Sequence, residues 1–305
     1  MRPVIITALA LLTVLGVPYG GVSWYMASQV TVAERNPLEA LPASVGLSSK
    51  DVSFAPRGNE HTITLQGWLI NAPESRGTVI IVHGVDSNRA DPEVGYLELA
   101  DALAKRGFSS MLFDLRGHGE SGGEQVSGGL FEQQDLLGAF DFLIEREVAP
   151  ERIGVLGVSL GGAIALLAAA KEPQLQATVA DSTFADLSDL IVAEAKKRTN
   201  LPEWMVPILV PGMIQAAKLA YGIDIKQIAP IEAIKQLPYP VLLIHGNADE
   251  RIMLSHAHRL AEASPHPGTK LWVVPAAEHA RTFKSNPEEY TKRVARYFEE
   301  RFSQE

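Results

Sequence analysis

Short apolar runs alternate with stretches of helical spacing along most of the chain. Residues 50–54 and 62–70 alternate like two strands joined by a polar turn, which predicts an opening hairpin. Helices are predicted further along, over residues 96–106, 130–145 and 286–302. Six more runs have the length of buried parallel strands: residues 78–83, 109–114, 153–157, 177–181, 241–245 and 271–274. The alternation predicts an α/β fold with a mostly parallel, doubly wound sheet of about eight strands.

The amino-terminal segment has a different pattern. No side chain between Arg2 and Glu34 is charged, and residues 4–17 are almost wholly apolar. This stretch is long enough to cross a bilayer, although a proline and two glycines interrupt it further along. Trp24 and Tyr25 are typical of the interface between membrane and water.

We therefore predict a single-pass membrane anchor over residues 1–27, with a cleaved signal peptide as the alternative. The folded domain is expected outside the cytoplasm in the first case, and secreted or periplasmic in the second. Residues 28–47 contain two prolines and few large apolar groups, which predicts a linker. The main domain is then expected over residues 48–305.

Composition narrows the classes of function. The chain has 305 residues, of which 46% are hydrophobic and 21% charged, as expected for one large domain with a short appendage. Its net charge of -9 and the lack of a basic stripe argue against nucleic-acid binding. Cysteine is absent, which excludes disulfides, thiolate catalysis and cysteine-ligated metals.

A Gly-x-Ser-x-Gly motif follows the third of the six apolar runs. Ser159 lies between Gly157 and Gly161, and residues 163–170 after it are strong helix formers. A sharp turn from strand to helix can expose a serine hydroxyl at the edge of a sheet. Ser159 is therefore the candidate nucleophile, with a solvated serine in a glycine-rich turn as the alternative.

Polar residues also follow the other apolar runs. They include the segments 83–86, 114–121, 181–182, 245–249 and 278–279. In these residues, and in the order serine, aspartate, histidine, the chain resembles the α/β-hydrolase superfamily over about residues 50–302. The resemblance is closer to its single-domain esterase, lipase and serine-aminopeptidase-like members.

The resemblance implies a role for each candidate residue. His279 is expected to act as the base that accepts the serine proton. Asp249 is the expected orienting acid, while Asp181 and Glu250 stay open as alternatives. The backbone N–H groups of Val85 and Leu160 are expected to form the oxyanion hole.

Fifty-eight residues, 183–240, separate two predicted strands and are expected to form a small helical cap over Ser159. Trp204, Met205 and Met213 could line an apolar pocket there or simply pack the cap. Three prolines between residues 201 and 214 argue against a long straight helix.

The sequence thus predicts a serine hydrolase of the carboxylesterase or lipase kind, acting on a small acyl ester, a thioester or a lipid-like molecule. A serine-aminopeptidase-like peptidase and a non-catalytic lipid-binding or partner-binding protein are the alternatives. No cofactor or metal is expected, because the histidines at 83, 118 and 245 lack a compact ligand pattern. They are expected to tie backbone segments together.

Overall fold

The computed structural model describes residues 2–58 and 62–303, with side chains from residue 16 onward. Within these residues, the strands are β1 (Lys50–Phe54), β2 (Leu65–Ile70), β3 (Thr78–Val82), β4 (Ser109–Phe113), β5 (Ile153–Val158), β6 (Thr178–Asp181), β7 (Leu242–Gly246) and β8 (Lys270–Val274). They form one eight-stranded sheet in the order β1-β2-β4-β3-β5-β6-β7-β8.

The sheet is antiparallel at one edge and parallel elsewhere. β1 pairs with β2, and β2 with β4, in antiparallel orientation. The pairs from β4 through β3, β5, β6 and β7 to β8 are all parallel. The short connection from β1 to β2 permits only an antiparallel pair, whereas helical crossovers bring later strands back in the same direction. The prediction of an eight-stranded, mostly parallel sheet is confirmed.

From β3 onward, helices lie between successive strands in the chain. In chain order they are α1 (Arg2–Val30), α2 (Tyr96–Ala104), α3 (Glu132–Ile144), α4 (Leu160–Ala169), α5 (Ile191–Arg198), α6 (Val206–Tyr221), α7 (Pro230–Ile234), α8 (Ser255–Ala263), α9 (Thr282–Ser285) and α10 (Pro287–Phe302). The last begins where the sequence predicts it, since the Asn286 side chain accepts a hydrogen bond from the Glu289 N–H.

The chain divides into two compact units, of which the larger comprises Ala33–Asp186 and Ile228–Glu305 and contains the whole sheet. Alternate residues of its central strands enter one core with α2 and α10, as Val79 and Ile81 of β3 do. Their neighbours Ile80 and Val82 are also fully buried. Because successive strand side chains point to opposite faces, both faces of the sheet are covered. Its carboxyl edge carries the candidate site.

The smaller unit contains α1, α5 and α6. Contrary to the expectation from its prolines, α6 is a helix of 16 residues that includes Pro211. The Tyr19 hydroxyl donates to Ile208 O at 3.1 Å and accepts from Gly212 N at 3.1 Å. These two backbone groups would bond each other in a regular helix, so Tyr19 supplies partners where the proline disturbs the ladder.

The membrane-anchor prediction rests partly on residues 1–15, whose side chains lie outside the described part of the chain. Among the described residues, no single helix is both long and apolar enough to cross a membrane. The bent pair formed by Val206–Tyr221 and Ile225–Ile234 passes that test by length and composition alone. The anchor over residues 1–27 stays a prediction.

From Ala33 onward, the segment after α1 belongs to the larger unit and packs against the core of that unit. Four apolar side chains pack on the core there: Leu38, Ala40, Val45 and Leu47. A short 3-10 turn, Pro42–Val45, precedes β1. The linker predicted over residues 28–47 therefore begins in α1, and most of it has packing contacts of its own.

Candidate active site

Ser159 lies at the turn between β5 and α4. Its backbone has φ 57° and ψ -119°, a conformation that costs energy for any residue with a side chain. A Cβ on Gly157 would stand 2.0 Å from Gly161 O, and one on Gly161 would stand 2.2 Å from Val82 O. Only glycine fits at either position, so the motif residues permit the sharp turn that presents the Ser159 hydroxyl.

His279 joins Ser159 to Asp249. Its Nε2 lies 2.9 Å from Ser159 Oγ, and its Nδ1 lies 2.8 Å from Asp249 Oδ2. An ionised carboxylate can only accept, so Nδ1 carries the hydrogen and Nε2 of the neutral ring is free to accept the serine proton. The structure thus brings together the three side chains in the chemical order that a serine nucleophile needs.

The Asp249 carboxylate is held by the backbone after it. Its Oδ1 accepts hydrogen bonds from Arg251 N at 3.0 Å and Ile252 N at 2.8 Å, and the side chain is fully buried. The imidazole of His279 is 17% exposed. A fixed, dry carboxylate behind a partly exposed imidazole can orient the ring and stabilise its protonated form.

Asp181, the alternative acid, has other partners. Ser182 Oγ and Tyr290 OH donate to its carboxylate, each at 2.9 Å, and Thr282 Oγ1 donates as well. Burial raises the pKa of Asp181, and these hydroxyl donors oppose that shift. Asp249 rather than Asp181 therefore contacts His279. Sequence reasoning missed Thr282 and Tyr290, because hydroxyl residues in helices carry no motif.

The loop after β3 approaches the serine. A Cβ on Gly84 would stand 3.2 Å from Ser159 Cβ, so the peptide joining Gly84 to Val85 lies beside Ser159. His83 Nε2 accepts from Leu115 N at 2.9 Å, which leaves Nδ1 to donate to Gly84 O at 2.7 Å. Since Gly84 O and Val85 N belong to one peptide plane, this bond fixes the direction of the Val85 N–H.

Leu160 is the first residue of α4. The N–H groups in the first turn of a helix have no acceptor within that helix, and the helix dipole makes them favourable for negative charge. The N–H groups of Leu160 and Val85 are thus both on segments next to Ser159. This arrangement is compatible with the predicted oxyanion hole.

Other polar residues at this edge support the loops. His118 Nδ1 donates to Arg116 O at 2.9 Å, while its Nε2 accepts from Asp86 N at 3.3 Å. His245 Nε2 donates to Ile252 O at 2.7 Å. Burial lowers the pKa of both His83 and His118. All three histidines therefore tie backbone segments together.

Two buried ion pairs brace the loop after β4. Arg116 Nη2 lies 2.7 Å from Asp135 Oδ1, and Arg89 donates to Asp114. Burial raises the pKa of Asp135 to about 7, against the opposing effect of Arg116. These two ion pairs hold the loop after β4 in place.

The predicted cap residues have different environments. Met213 is 1% exposed and lies inside the smaller unit, whereas Trp204 is 71% exposed. Met205 is partly buried. Their assignment to a substrate pocket stays a prediction.

Comparisons with known proteins match most of the chain. The family model described as serine aminopeptidase, S33 (Hydrolase_4) matches residues 73–223. YqkD of Bacillus subtilis, an uncharacterised protein, is 29% identical over 237 residues, which cover 77% of this chain and 75% of YqkD. The 2,6-dihydropseudooxynicotine hydrolase of Paenarthrobacter nicotinovorans is 26% identical over 244 residues, which cover 74% of this chain and 60% of that enzyme.

The solved structure of the Pyrococcus furiosus esterase Pf2001 is also similar. It superposes with a TM-score of 0.71 at 28% identity and covers 89% of this chain and 100% of the esterase. The similarity thus extends over most of the chain.

Proposed function

We propose that this chain, a member of the α/β-hydrolase superfamily and a hydrolase of the serine type, cleaves a carboxylic ester or thioester through an acyl-enzyme on Ser159. The observation that carries the proposal is the position of His279, 2.9 Å from Ser159 Oγ and 2.8 Å from Asp249 Oδ2. A serine hydroxyl is a weak nucleophile until such a base accepts its proton.

The reaction proceeds in two displacements. Ser159 Oγ attacks the carbonyl carbon as its proton moves to His279 Nε2, and the carbonyl oxygen becomes an oxyanion facing the N–H groups of Val85 and Leu160. The bond to the alcohol or thiol breaks as the imidazolium returns the proton to the leaving group. Water, deprotonated by the same ring, then attacks the acyl-enzyme, and collapse of the second oxyanion releases the acid and restores Ser159 Oγ–H.

The substrate is proposed to be a small acyl ester or a lipid-like ester. The apolar side chains of Trp204, Met205 and Met213 belong to the segment 183–240, which we propose as the cap that selects the acyl group. The proposed membrane anchor over residues 1–27 fits such a substrate, with the catalytic domain outside the cytoplasm. A secreted or periplasmic form after cleavage is the alternative.

A peptidase is the second candidate, because the matching family model is described as a serine aminopeptidase. Recognition of a peptide amine needs an available carboxylate near the site. Glu194, the acidic residue in the first turn of α5, has an ion pair with Arg198 of the same helix at 3.7 Å. This pairing favours the esterase over the peptidase. A non-catalytic binding protein is the third candidate, and a complete set of Ser159, His279 and Asp249 argues against it.

A panel of p-nitrophenyl esters of two to sixteen carbons and of aminoacyl p-nitroanilides tests the proposal. We expect hydrolysis of the esters by the unchanged chain, loss of that activity in Ser159→Ala, and no comparable cleavage of the anilides. Cleavage of the anilides alone would favour the peptidase. Ester hydrolysis that survives in Ser159→Ala would contradict the proposed nucleophile.

A further inference from the structure

The residues between α1 and β1 include a short segment that holds the loop after β3. Glu34 N donates to Asp86 Oδ1 at 3.4 Å, and Asn36 Nδ2 donates to Asp86 O at 2.8 Å. From the other side, Asn88 Nδ2 donates to Pro37 O at 3.1 Å. We call residues 34–37 the strap, and residues 83–88 the oxyanion loop.

The strap also holds the neighbouring loop after β4. The Arg35 guanidinium donates to Gly119 O at 2.8 Å, Ser121 O at 2.6 Å and Gly123 O at 2.8 Å. Hydrogen bonds from a charged donor are stronger than neutral ones. Because His118 of this second loop accepts from Asp86 N, the strap fixes the oxyanion loop both directly and through its neighbour.

The oxyanion loop needs such support. Asp86 has φ 56°, a left-handed conformation that is unfavourable for a residue with a side chain. Asp86 directly follows Val85, whose N–H direction is fixed on its other side by the bond from His83 to Gly84 O. Without the strap, the carbonyl of Asp86 loses its donor from Asn36 and the strained residue can relax.

We propose that the strap positions the Val85 N–H for the oxyanion, with Asn36 as its main positioning residue. This inference rests on the proposed function, since it assigns the strap to the reaction at Ser159. A donor displaced by a fraction of an ångström stabilises the transition state less, while ground-state binding of the acyl group changes little. The segment that the sequence predicts as a linker therefore contributes to turnover.

The proposal predicts how the place of cleavage in the amino-terminal segment affects activity. Cleavage of the amino-terminal segment before residue 34 leaves the strap attached to the domain. Cleavage after residue 37 removes all four of its residues. Only the first kind of mature protein is expected to keep full activity.

The test uses the full chain with Asn36→Ala, and with Ser44→Ala as the matched control. Ser44 belongs to the same segment, but its Oγ donates to Leu41 O at 2.6 Å, within its own turn. We expect Asn36→Ala to lower kcat about tenfold, a fraction of the loss seen when an oxyanion donor is removed outright. KM is expected to stay within about twofold, because ground-state binding is unchanged.

Hydrogen exchange at residues 84–87 gives a readout that does not depend on catalysis. We expect faster exchange at Asp86 in Asn36→Ala, and unchanged exchange in Ser44→Ala. Asn36→Asp keeps the shape of the side chain and loses the N–H donor, so it is expected to lower kcat at least as much. It also serves if the alanine variant does not fold.

Three results would overturn the proposal: equal kcat in Asn36→Ala and Ser44→Ala, unchanged exchange at Asp86, or a rise in KM that accounts for the whole loss. A failure of the proposed function has a different signature. If the unchanged chain hydrolyses no ester and reacts with no fluorophosphonate, the serine-hydrolase proposal fails. The exchange measurement then still decides whether the strap holds the loop.

Discussion

Histidines lie in two regions along the carboxyl edge of the sheet, and their environments differ. On the side of β7 and β8, His245 is buried and bonds the backbone at Ile252 O. His279 on the same side is 17% exposed, and both of its ring nitrogens contact side chains, Ser159 Oγ and Asp249 Oδ2. On the side of β3 and β4, His83 and His118 are 1% and 0% exposed, and their ring nitrogens bond backbone groups.

The difference distinguishes a histidine that can take part in proton transfer from histidines that support the backbone. A ring that bonds a hydroxyl and a carboxylate can accept a proton and hold it, because the carboxylate stabilises the charged form. A buried ring bonded on both sides to the backbone loses one of those bonds when it takes a proton. Among these histidines, the group that each ring nitrogen bonds therefore decides which one can act as a base.

The largest effect is expected on the β7 and β8 side. His279→Ala removes the proposed acceptor of the Ser159 proton, so kcat for an ester is expected to fall by about 10⁴ or more. Stopped assays with p-nitrophenyl butyrate measure the loss, and circular dichroism checks the fold. His258→Ala, at an exposed histidine of α8, is the control and is expected to keep full activity. Comparable losses in both variants would contradict the assignment of His279 as the base.

Two aspartates sharpen the comparison: Asp181 at the end of β6 and Asp249 in the loop after β7. Asp249→Asn can present a donor to His279 Nδ1 and select the wrong tautomer, so kcat is expected to fall about 10³–10⁴-fold. Asp181→Asn alters a carboxylate that bonds Ser182, Thr282 and Tyr290 instead, so kcat is expected to change less than about tenfold.

The Asp181→Asn variant should show its effect in stability. Its buried hydroxyl partners lose a charged acceptor, which is expected to lower the free energy of unfolding by about 1–3 kcal/mol. Urea denaturation measures this change alongside kcat. A larger loss of kcat in Asp181→Asn than in Asp249→Asn would assign the orienting role to Asp181.

The smallest effect is expected on the β3 and β4 side and depends on pH. Burial lowers the pKa of His118 in the folded chain below its value of 6.5 in the unfolded chain. The unfolded state therefore binds more protons below pH 6.5, so the contribution of this histidine to stability is complete above that pH and is lost as the pH falls.

The slope of this loss is at most about 1.4 kcal/mol per pH unit for one histidine. Urea denaturation between pH 7 and pH 5 measures it, and His118→Asn is expected to flatten the slope by up to that amount. His258→Asn is the control with an unchanged slope. An identical slope in the His118 variant would show that its protonation is not linked to folding.

The regular pattern of the chain was sufficient to predict the sheet. Six of the strands lie where apolar runs occur, since a parallel strand covered on both faces must be apolar throughout, and β1 and β2 lie where the opening hairpin was predicted. Within the predicted helical cap, a helix as long as the 16 residues of α6 was not expected, because Pro211 argues against a long helix by local preference. Tyr19 supplies partners for Ile208 O and Gly212 N, which are 189 and 193 residues away in the chain, and no local pattern predicts such a contact.

In the candidate site, too, a sequence pattern predicts some of the residues and misses others. Ser159, Asp249 and His279 follow strands in an order that the sequence displays, and the structure brings them within hydrogen-bond distance. The strap was predicted only as a linker, because its hydrogen bonds join ordinary polar side chains and backbone groups that lie about 50 residues apart in the chain. A hydrogen bond between a side chain and a carbonyl far away in the chain produces no regular residue spacing in the sequence.

The most direct test of the central claim is the intact mass of the chain after reaction with a fluorophosphonate, followed by peptide mapping. We predict a single adduct on Ser159, formed rapidly in the unchanged chain, absent in Ser159→Ala and strongly slowed in His279→Ala. An unreactive native chain, or an adduct on another residue that persists in Ser159→Ala, would contradict the assignment of Ser159 as the nucleophile.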